Sequence, residues 1–184
     1  CCWEFYKKFR ESWPEEEARL SRLTRGMGMK GFHLDTNMVE EGLDNLDKQM
    51  FEAKSNLPWY DEIDPDTKKP YVIYSKKALA IECRKIGIDP PKSLSKDSPD
   101  CHKWMREHGD NLPFVTSMQN YTRMNTHYQR LKTMRDRCRP DGTVPFNLKY
   151  FGAEATGRWS GDSGLNVQNL PRDTMYGVNL RNCI

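Results

Sequence analysis

The sequence is short of apolar residues. Hydrophobic side chains make up 36% of its 184 residues, and it contains no apolar run long enough to span a bilayer. It has no secretory signal pattern at its amino end. These absences predict a protein with a modest core and no membrane partner. We expect it to be a monomer located in the cytoplasm.

Metal-binding and nucleophile motifs are also missing. The six cysteines form no C-x-x-C pair, and the four histidines have no zinc-ligand spacing with them. There is no P-loop, no nucleophile elbow and no H-E-x-x-H motif. Two-metal nucleotidyl transfer needs clustered carboxylates, whereas the acidic residues fall on predicted helix starts and loops, with no Asp on a strand. We expect reduced cysteines, no bound metal and no catalytic residue.

Charge is dense but nearly balanced. Charged residues make up 30% of the chain, and the formal net charge of +3 says little about partners. Locally, seven basic and two acidic residues between Arg123 and Lys149 give a net charge of +5. Arg123, Arg130 and Arg137 recur every seven residues, which on an α-helix keeps them along one side. Such a row can lie along a nucleic-acid backbone, and the alternative is a solvated helix face.

A helix is predicted after Ser12-Trp13-Pro14-Glu15, which has the form of a capping box with a proline near the helix start. Its buried stripe is expected to be Leu20, Leu23 and Met27. The helix would end within residues 26–31, which formally match G-x-G-x-x-G. A dinucleotide site needs a strand before that motif and a helix after it, and here the order is reversed. We interpret the glycines as a helix end and a turn.

Capping residues and apolar periodicity predict the other helices. Asp35, Ser75 and Ser98 should each cap a helix, and Pro113 should open the longest helix, which reaches about Cys138. Residues 55–70 are predicted to be loop, and residues 71–74 and 144–151 to be extended. The pattern predicts a mainly α fold with a small β portion. The expected packing stripes are Val39, Leu43, Leu46 and Met50, then Leu79, Cys83 and Ile86, then Cys101, Trp104, Met105 and His108, then Phe114, Met118, Tyr121, Tyr128, Leu131 and Cys138.

The segment from Tyr150 to Asp173 is rich in glycine, amides and arginine. Arg158 presents a rigid fork of donors suited to phosphate, and Arg172 adds a second cation. Gln168 and Asn169 carry amides that both donate and accept hydrogen bonds. We predict a loop that contacts a polar, anionic partner. Glycines that permit close approach or positive φ there are Gly152, Gly157, Gly161 and Gly164.

This segment resembles a known family. Residues 156–158 (Thr-Gly-Arg) and 166–172 (Asn-Val-Gln-Asn-Leu-Pro-Arg) are similar to the T-G-R … N-x-Q-N-[IL]-P-x-R segment of family A DNA polymerases. Residues 159–161 (Trp-Ser-Gly) look most like the bacteriophage and prophage branch. Residues 31–35 and 91–98 resemble the entry to the thumb and its tip in the same family. Members often carry Asn just before the position of Ser75, whereas Tyr74 stands here.

The resemblance implies a helical thumb with long antiparallel helices that leads into the first strands of a polymerase palm. Residues 1–30 would be the last helices of an exonuclease-like region, residues 31–139 the thumb and residues 140–184 the start of the palm. We expect an internal piece of a longer enzyme that transfers nucleotidyl groups from dNTPs to a primer 3′ end with Mg²⁺. The Mg²⁺ ligands would lie outside this segment, so the piece would bind primer–template DNA and catalyse nothing.

The resemblance also implies which side chains contact DNA. Arg123 and Arg158 would lie near the primer end, and Lys92 and Lys96 would contact duplex phosphates at the thumb tip. Considered alone, residues 92–98 are typical of an ordinary surface loop. Amides of the early palm would lie near the template or primer strand. The candidate DNA-binding residues are Arg158, Arg123, Gln168, Asn169, Asn166, Arg172, Thr156, Lys96, Lys92 and Arg130.

Two other function classes stay open. The first is a stand-alone, non-catalytic helical module that binds nucleic acid through the basic row of the long helix. The second is a polymerase-like enzyme that synthesises RNA on a related palm. The residues Gln168-Asn169-Leu170-Pro171 favour the DNA enzymes over this second class.

Overall fold

A computed structural model describes residues 4, 7, 8, 12–95, 98–109, 111–153, 155–162 and 164–184. These residues confirm the predicted mainly α fold with a small β portion. The helices are α1 (Glu15–Lys30), α2 (Thr36–Ser55), α3 (Lys76–Lys85), α4 (Pro99–His108) and α5 (Pro113–Arg137). The strands are β1 (Phe32–His33), β2 (Thr143–Val144), β3 (Asn147–Ala153) and β4 (Arg158–Asp162), and a 3₁₀ turn spans Val167–Asn169.

The chain divides into two compact units. The central unit is Leu43–Gln129, and the terminal unit combines Cys1–Gly42 with Arg130–Ile184. The boundaries fall within α2 and α5. No described helix is both long enough and apolar enough to cross a membrane.

The central unit has an aromatic and aliphatic core. Trp59 packs edge-on against Phe114, with ring centroids 6.0 Å apart. The Tyr74 hydroxyl donates to the carbonyl of Met118 at 2.8 Å, and burial raises the pKa of Tyr74 to about 12. The indole of Trp104 donates to the carbonyl of Asp89 at 2.7 Å. The polar atoms of Tyr74 and Trp104 are thus satisfied by backbone acceptors, whereas the buried indole nitrogen of Trp59 has no described acceptor.

Three predicted helix caps are confirmed. The Asp35 carboxylate accepts from the Met38 amide at 3.0 Å. The Ser75 hydroxyl accepts from the Ala78 amide at 3.2 Å, and the Ser98 hydroxyl from the Cys101 amide at 3.4 Å. Each satisfies one of the amides that a helix start leaves without a partner. In contrast, residues 71–74 form no strand. The Tyr71 amide donates to the Glu62 carbonyl at 3.1 Å, and the Val72 carbonyl accepts from the Ser75 amide at 3.0 Å.

Helix α1 differs from its prediction. It begins at Glu15 after Pro14 without a side-chain cap, so the expected capping box is wrong. Its apolar stripe faces solvent, because Leu20, Leu23 and Met27 are 38%, 54% and 42% exposed. The helix buries Thr24 and Gly28 instead. Periodicity identified an amphipathic helix but assigned the wrong face to the core.

The packing stripes of the later helices are largely as predicted. Val39, Leu43, Leu46 and Met50 are buried on α2. On α5, Phe114, Met118 and Leu131 are buried, whereas the two tyrosines of the expected stripe are only half-buried. Val115, Ser117, Met124, His127 and Met134 complete the buried set there. Among the other expected stripe residues, Ile86 is 48% exposed, and the half-buried ones are Met105, His108 and Cys138. The four cysteines in the described residues are free thiols, as predicted, and they are Cys83, Cys101, Cys138 and Cys183.

The predicted strand over residues 144–151 is two strands. β2 pairs with β1 antiparallel through Phe32↔Val144 and His33↔Thr143. β3 begins only at Asn147 and pairs with β4. The break falls at Pro145 and Phe146, because proline lacks a ladder donor and the Phe146 amide donates at 3.1 Å to the carbonyl of Gly28.

Glycines let α1 approach this break closely. A side chain on Gly28 would overlap the carbonyl oxygen of Phe146. Gly31 ends α1 with φ +76° and lies equally close to the carbonyl of Val144. The interpretation of residues 26–31 as a helix end is confirmed at Gly31, but Gly26 and Gly28 lie inside α1, which continues to Lys30. The role of Gly28 is the close approach to Phe146.

Two substitutions on α1 should change stability in opposite directions. Gly28→Ala places a methyl group against the rigid backbone of Phe146 and should destabilise the protein by about 1–3 kcal/mol. Gly26→Ala is the matched control, because nothing lies within 4 Å of its new Cβ. It should stabilise the helix by about 0.5–1 kcal/mol. Urea denaturation measures both changes, and shifts of the same sign would contradict this packing.

Candidate nucleic-acid interface

A β-hairpin positions Arg158. β3 and β4 pair antiparallel with Leu148↔Gly161, Lys149↔Ser160 and Ala153↔Arg158, so β3 carries two extra residues between the last two pairs. Gly157 turns the chain with φ +62° immediately before Arg158. The segment predicted to be a loop therefore contains a strand, and Arg158 is the first residue of β4.

Arg158 lies on an open cleft of the terminal unit. Its side chain is exposed and makes no hydrogen bond or ion pair with any described residue. Gly157, Trp159 and Gln168 line the same cleft, which has a volume of about 440 Å³. The structure thus brings together two predicted site residues that are ten positions apart. A cation with five donors and an amide with both donors and an acceptor face one shared space.

Two buried leucines hold the amide-bearing segment. Leu165 and Leu170 are 1% and 3% exposed, and the 3₁₀ turn between them leaves Gln168 and Asn169 exposed. The turn is closed by hydrogen bonds from the Asn169 amide to the carbonyl of Asn166 at 3.2 Å and from the Leu170 amide to that of Val167 at 3.4 Å. Burial of the leucines therefore presents the two amide side chains to solvent.

A second cavity lies beside β4. It has a volume of about 310 Å³, and its lining includes Arg130, Gly161, Asp162 and Asn166. The Oδ1 atom of Asn166 is buried and accepts no hydrogen bond from any described residue. The Asn166 side chain lies directly against Gly161, where an added Cβ would overlap it. Arg130 and Asn166 are therefore brought together, but Asn166 is packed against the hairpin rather than fully presented to solvent.

Asp162 corrects one expectation from the sequence. It is the last residue of β4, so the chain does carry an Asp on a strand. Lys149 pairs with it at 3.6 Å across the hairpin. Among the described residues no three His, Cys, Asp or Glu side chains form a group that could hold a metal ion.

The described arginines fall into two sets by what their side chains contact. Arg135 pairs with Glu40 at 3.6 Å and Asp136 at 3.4 Å, and Arg139 donates to the carbonyl of Met29 at 2.7 Å. The second set makes no hydrogen bond or ion pair with any described residue, and it includes Arg123, Arg130, Arg158 and Arg172. The four arginines among the candidate DNA-binding residues all belong to this second set. Arg137, the third arginine of the basic row on the long helix, instead has a partner within the protein.

The other candidates are placed as follows. Thr156 is exposed in the hairpin turn and has a polar partner in the protein. Arg123 on α5 and Lys92 are exposed and belong to the central unit. The backbone amide of Lys92 donates to Asp100 at 2.8 Å. Lys96 lies outside the described residues.

Sequence reasoning missed one structural feature of this site. Arg181 donates through Nε and Nη2 to the carbonyl of Leu170, at 3.1 and 2.9 Å. The signal available was Asn179, two residues earlier, whose side chain forms a local turn by accepting from the Arg181 amide at 3.0 Å. A backbone acceptor has no sequence signature, so the pairing itself was not accessible.

Comparison with known proteins gives one informative result. No family model and no curated protein matches the sequence. Among solved structures, the chain is similar to the POL domain of Pol1 from M. smegmatis, in a complex with DNA primer-template and dNTP. The TM-score is 0.62 at 20% identity, over 84% of this chain and 26% of that chain. The chain therefore has the fold of part of a DNA polymerase domain and spans about a quarter of the matched chain.

Packing between Gly161 and Asn166 yields a prediction. Gly161→Ala should displace Asn166 from the cavity wall and destabilise the protein by about 1–3 kcal/mol, because the new Cβ overlaps the Asn166 side chain. The double variant Gly161→Ala with Asn166→Gly removes the overlapping atoms and should recover part of this loss. Urea denaturation of both variants and of Asn166→Gly alone measures the coupling. Strict additivity would show that the two residues do not meet.

Proposed function

We propose that this chain is the thumb and the first part of the palm of a family A DNA polymerase, and that it binds primer–template duplex DNA. The observation that carries the proposal is the cleft shared by Arg158 and Gln168, with a guanidinium group that no described residue neutralises. Support for DNA as the partner comes from the fold, which is shared with a polymerase domain solved with DNA primer-template and dNTP.

The chemistry of the cleft suits a nucleic-acid duplex. Arg158 supplies charged donors for phosphate or for base-edge acceptors, and Gln168 and Asn169 supply neutral amides that can bond to base edges or sugars. Arg172 adds an exposed cation shortly after the 3₁₀ turn. Charged contacts supply salt-dependent affinity, and amide contacts supply affinity that depends little on salt.

The proposed parent enzyme transfers nucleotidyl groups from dNTPs to a primer 3′ end. Family A enzymes use Mg²⁺ for this step, but the described residues do not offer a site that fits the ion. In this proposal the ion belongs to other parts of the parent, and these 184 residues contribute DNA binding alone. Assignment to the bacteriophage and prophage branch rests on Trp159, Ser160 and Gly161 and is part of the proposal.

Fluorescence anisotropy with a primer–template duplex tests the proposal. Arg158→Ala should weaken binding and reduce the slope of log K against log salt by about one, because one phosphate contact is lost. Gln168→Ala should weaken binding with the slope unchanged, because it removes no charge. The matched control is Arg135→Gln, which removes a positive charge that Glu40 and Asp136 already neutralise, and it should change neither value appreciably.

Three outcomes would decide against the proposal. Absence of duplex binding by the wild-type chain at low salt would remove DNA as the partner. Equal or tighter binding to single-stranded nucleic acid would favour the stand-alone binding module. Preference for a duplex with an RNA primer over one with a DNA primer would favour the RNA-synthesising class.

The same protein sample tests whether catalysis belongs to other parts of the proposed parent enzyme. With Mg²⁺, dNTPs and a labelled primer–template, the 184 residues should extend no primer, because they offer no described carboxylate cluster for the metal ions. Denaturing gel electrophoresis detects extension of the primer by one nucleotide. Extension by the wild-type chain would overturn the assignment of catalysis to other parts of the parent.

A further inference from the structure

One turn near the end of the chain holds the segment that bears Gln168 and Asn169. Arg181 directs two of its donors at a single acceptor, the carbonyl of Leu170, at 3.1 and 2.9 Å. Asn179 donates through Nδ2 to the carbonyl of Arg172 at 3.2 Å. The first carbonyl belongs to the peptide group between Leu170 and Pro171, and the second to the peptide group between Arg172 and Asp173. The same two side chains therefore hold the backbone before and after Pro171.

Buried neighbours and a backbone hydrogen bond fix the turn that contains Asn179 and Arg181. Leu180 and Cys183 are fully buried, and the carbonyl of Cys183 accepts from the Asp35 amide at 2.9 Å. The Asn179 side chain also accepts from the Arg181 amide, which fixes Asn179 relative to Arg181. Burial likewise raises the pKa of the Cys183 thiol. The turn is therefore attached to the start of α2 within the terminal unit.

Apart from the buried side chain of Leu170, little else fixes the path of residues 170–172. Pro171 has no amide hydrogen, so this segment cannot gain a ladder bond there. The Leu170 amide makes only a long bond of 3.4 Å to Val167. Without Arg181 and Asn179 the two carbonyls would have no described protein donor, and the peptide planes between Leu170 and Pro171 and between Arg172 and Asp173 could rotate. Rotation would redirect the side chains of Asn169 and Arg172.

We propose that Arg181, supported by Asn179, is a positioning residue that orients Gln168, Asn169 and Arg172 toward DNA without contacting DNA itself. Two of the guanidinium donors are already engaged by Leu170, which separates Arg181 from the unpaired arginines of the interface. This inference rests on the proposed function, because it specifies how the DNA-binding segment is held. A guanidinium fork holds one carbonyl with two bonds, whereas a lysine can supply one direct bond at most from the same side.

Double-mutant cycles on duplex binding test the proposal. Arg181→Ala should weaken binding about tenfold in the wild-type background and by the same factor in the Arg158→Ala background, because Arg158 lies on a different segment. In a background that carries Gln168→Ala, Asn169→Ala and Arg172→Ala, the same substitution should have little further effect. Arg181→Lys keeps the charge but loses the fork, so its affinity should fall between those of the wild type and Arg181→Ala.

A direct contact between Arg181 and DNA predicts different results. Arg181→Ala would then cost the same factor in every background, and Arg181→Lys would bind as tightly as the wild type. A loss confined to overall stability would also be the same in every background. Either pattern overturns the positioning role.

Amide hydrogen exchange supplies a readout that does not depend on DNA. Arg181→Ala should increase exchange at Asn169, Leu170 and Arg172 and leave α1 unchanged. The matched control is Arg139→Ala, which also removes a guanidinium bond to a backbone carbonyl, that of Met29, but should leave residues 169–172 unchanged. Absence of wild-type duplex binding would refute the proposed function, whereas unchanged exchange at residues 169–172 in Arg181→Ala would refute the positioning role.

Discussion

Backbone contact between α1 and the segment before β3 is the constraint on which the terminal unit depends. The Phe146 amide bonds to the carbonyl of Gly28, and the position of Gly28 leaves no room for a side chain between the two backbones. The rings of Phe32 and Phe146 pack 6.0 Å apart at the same place. Because this contact ends β2 and starts β3 at Asn147, it sets where the hairpin begins and hence where its second strand carries Arg158.

The candidate interface combines arginines with opposite tasks. Arg139 and Arg181 donate hydrogen bonds to backbone carbonyls within the protein. Arg158 and Arg172 have no described partner and remain exposed. An exposed, unpaired guanidinium keeps its hydration and costs the fold little, and its full charge stays available to an anionic ligand. In our proposal the bonds made by Arg181 position Arg172.

The features that could be predicted from the sequence are those that depend on residues close together in the chain. Asp35, Ser75 and Ser98 were recognised as caps because the capping bond joins residues three apart, and α5 was recognised from its length and its opening proline. The exposed stripe of α1 was assigned to the core because periodicity does not reveal which face a distant segment covers. Strand β4 was predicted as loop because glycines hide its alternation and its pairing with β3 is nonlocal.

For the site, Arg158 and Gln168 were identified from the resemblance to the polymerase family, while their shared cleft and the support by Arg181 required coordinates. The most direct test of the central claim is a titration of the isotope-labelled chain with primer–template duplex, followed by amide NMR. Binding at the proposed interface predicts the largest shifts at Gly157, Arg158, Gln168 and Asn169. Saturable binding that leaves these four amides unshifted would contradict the claim.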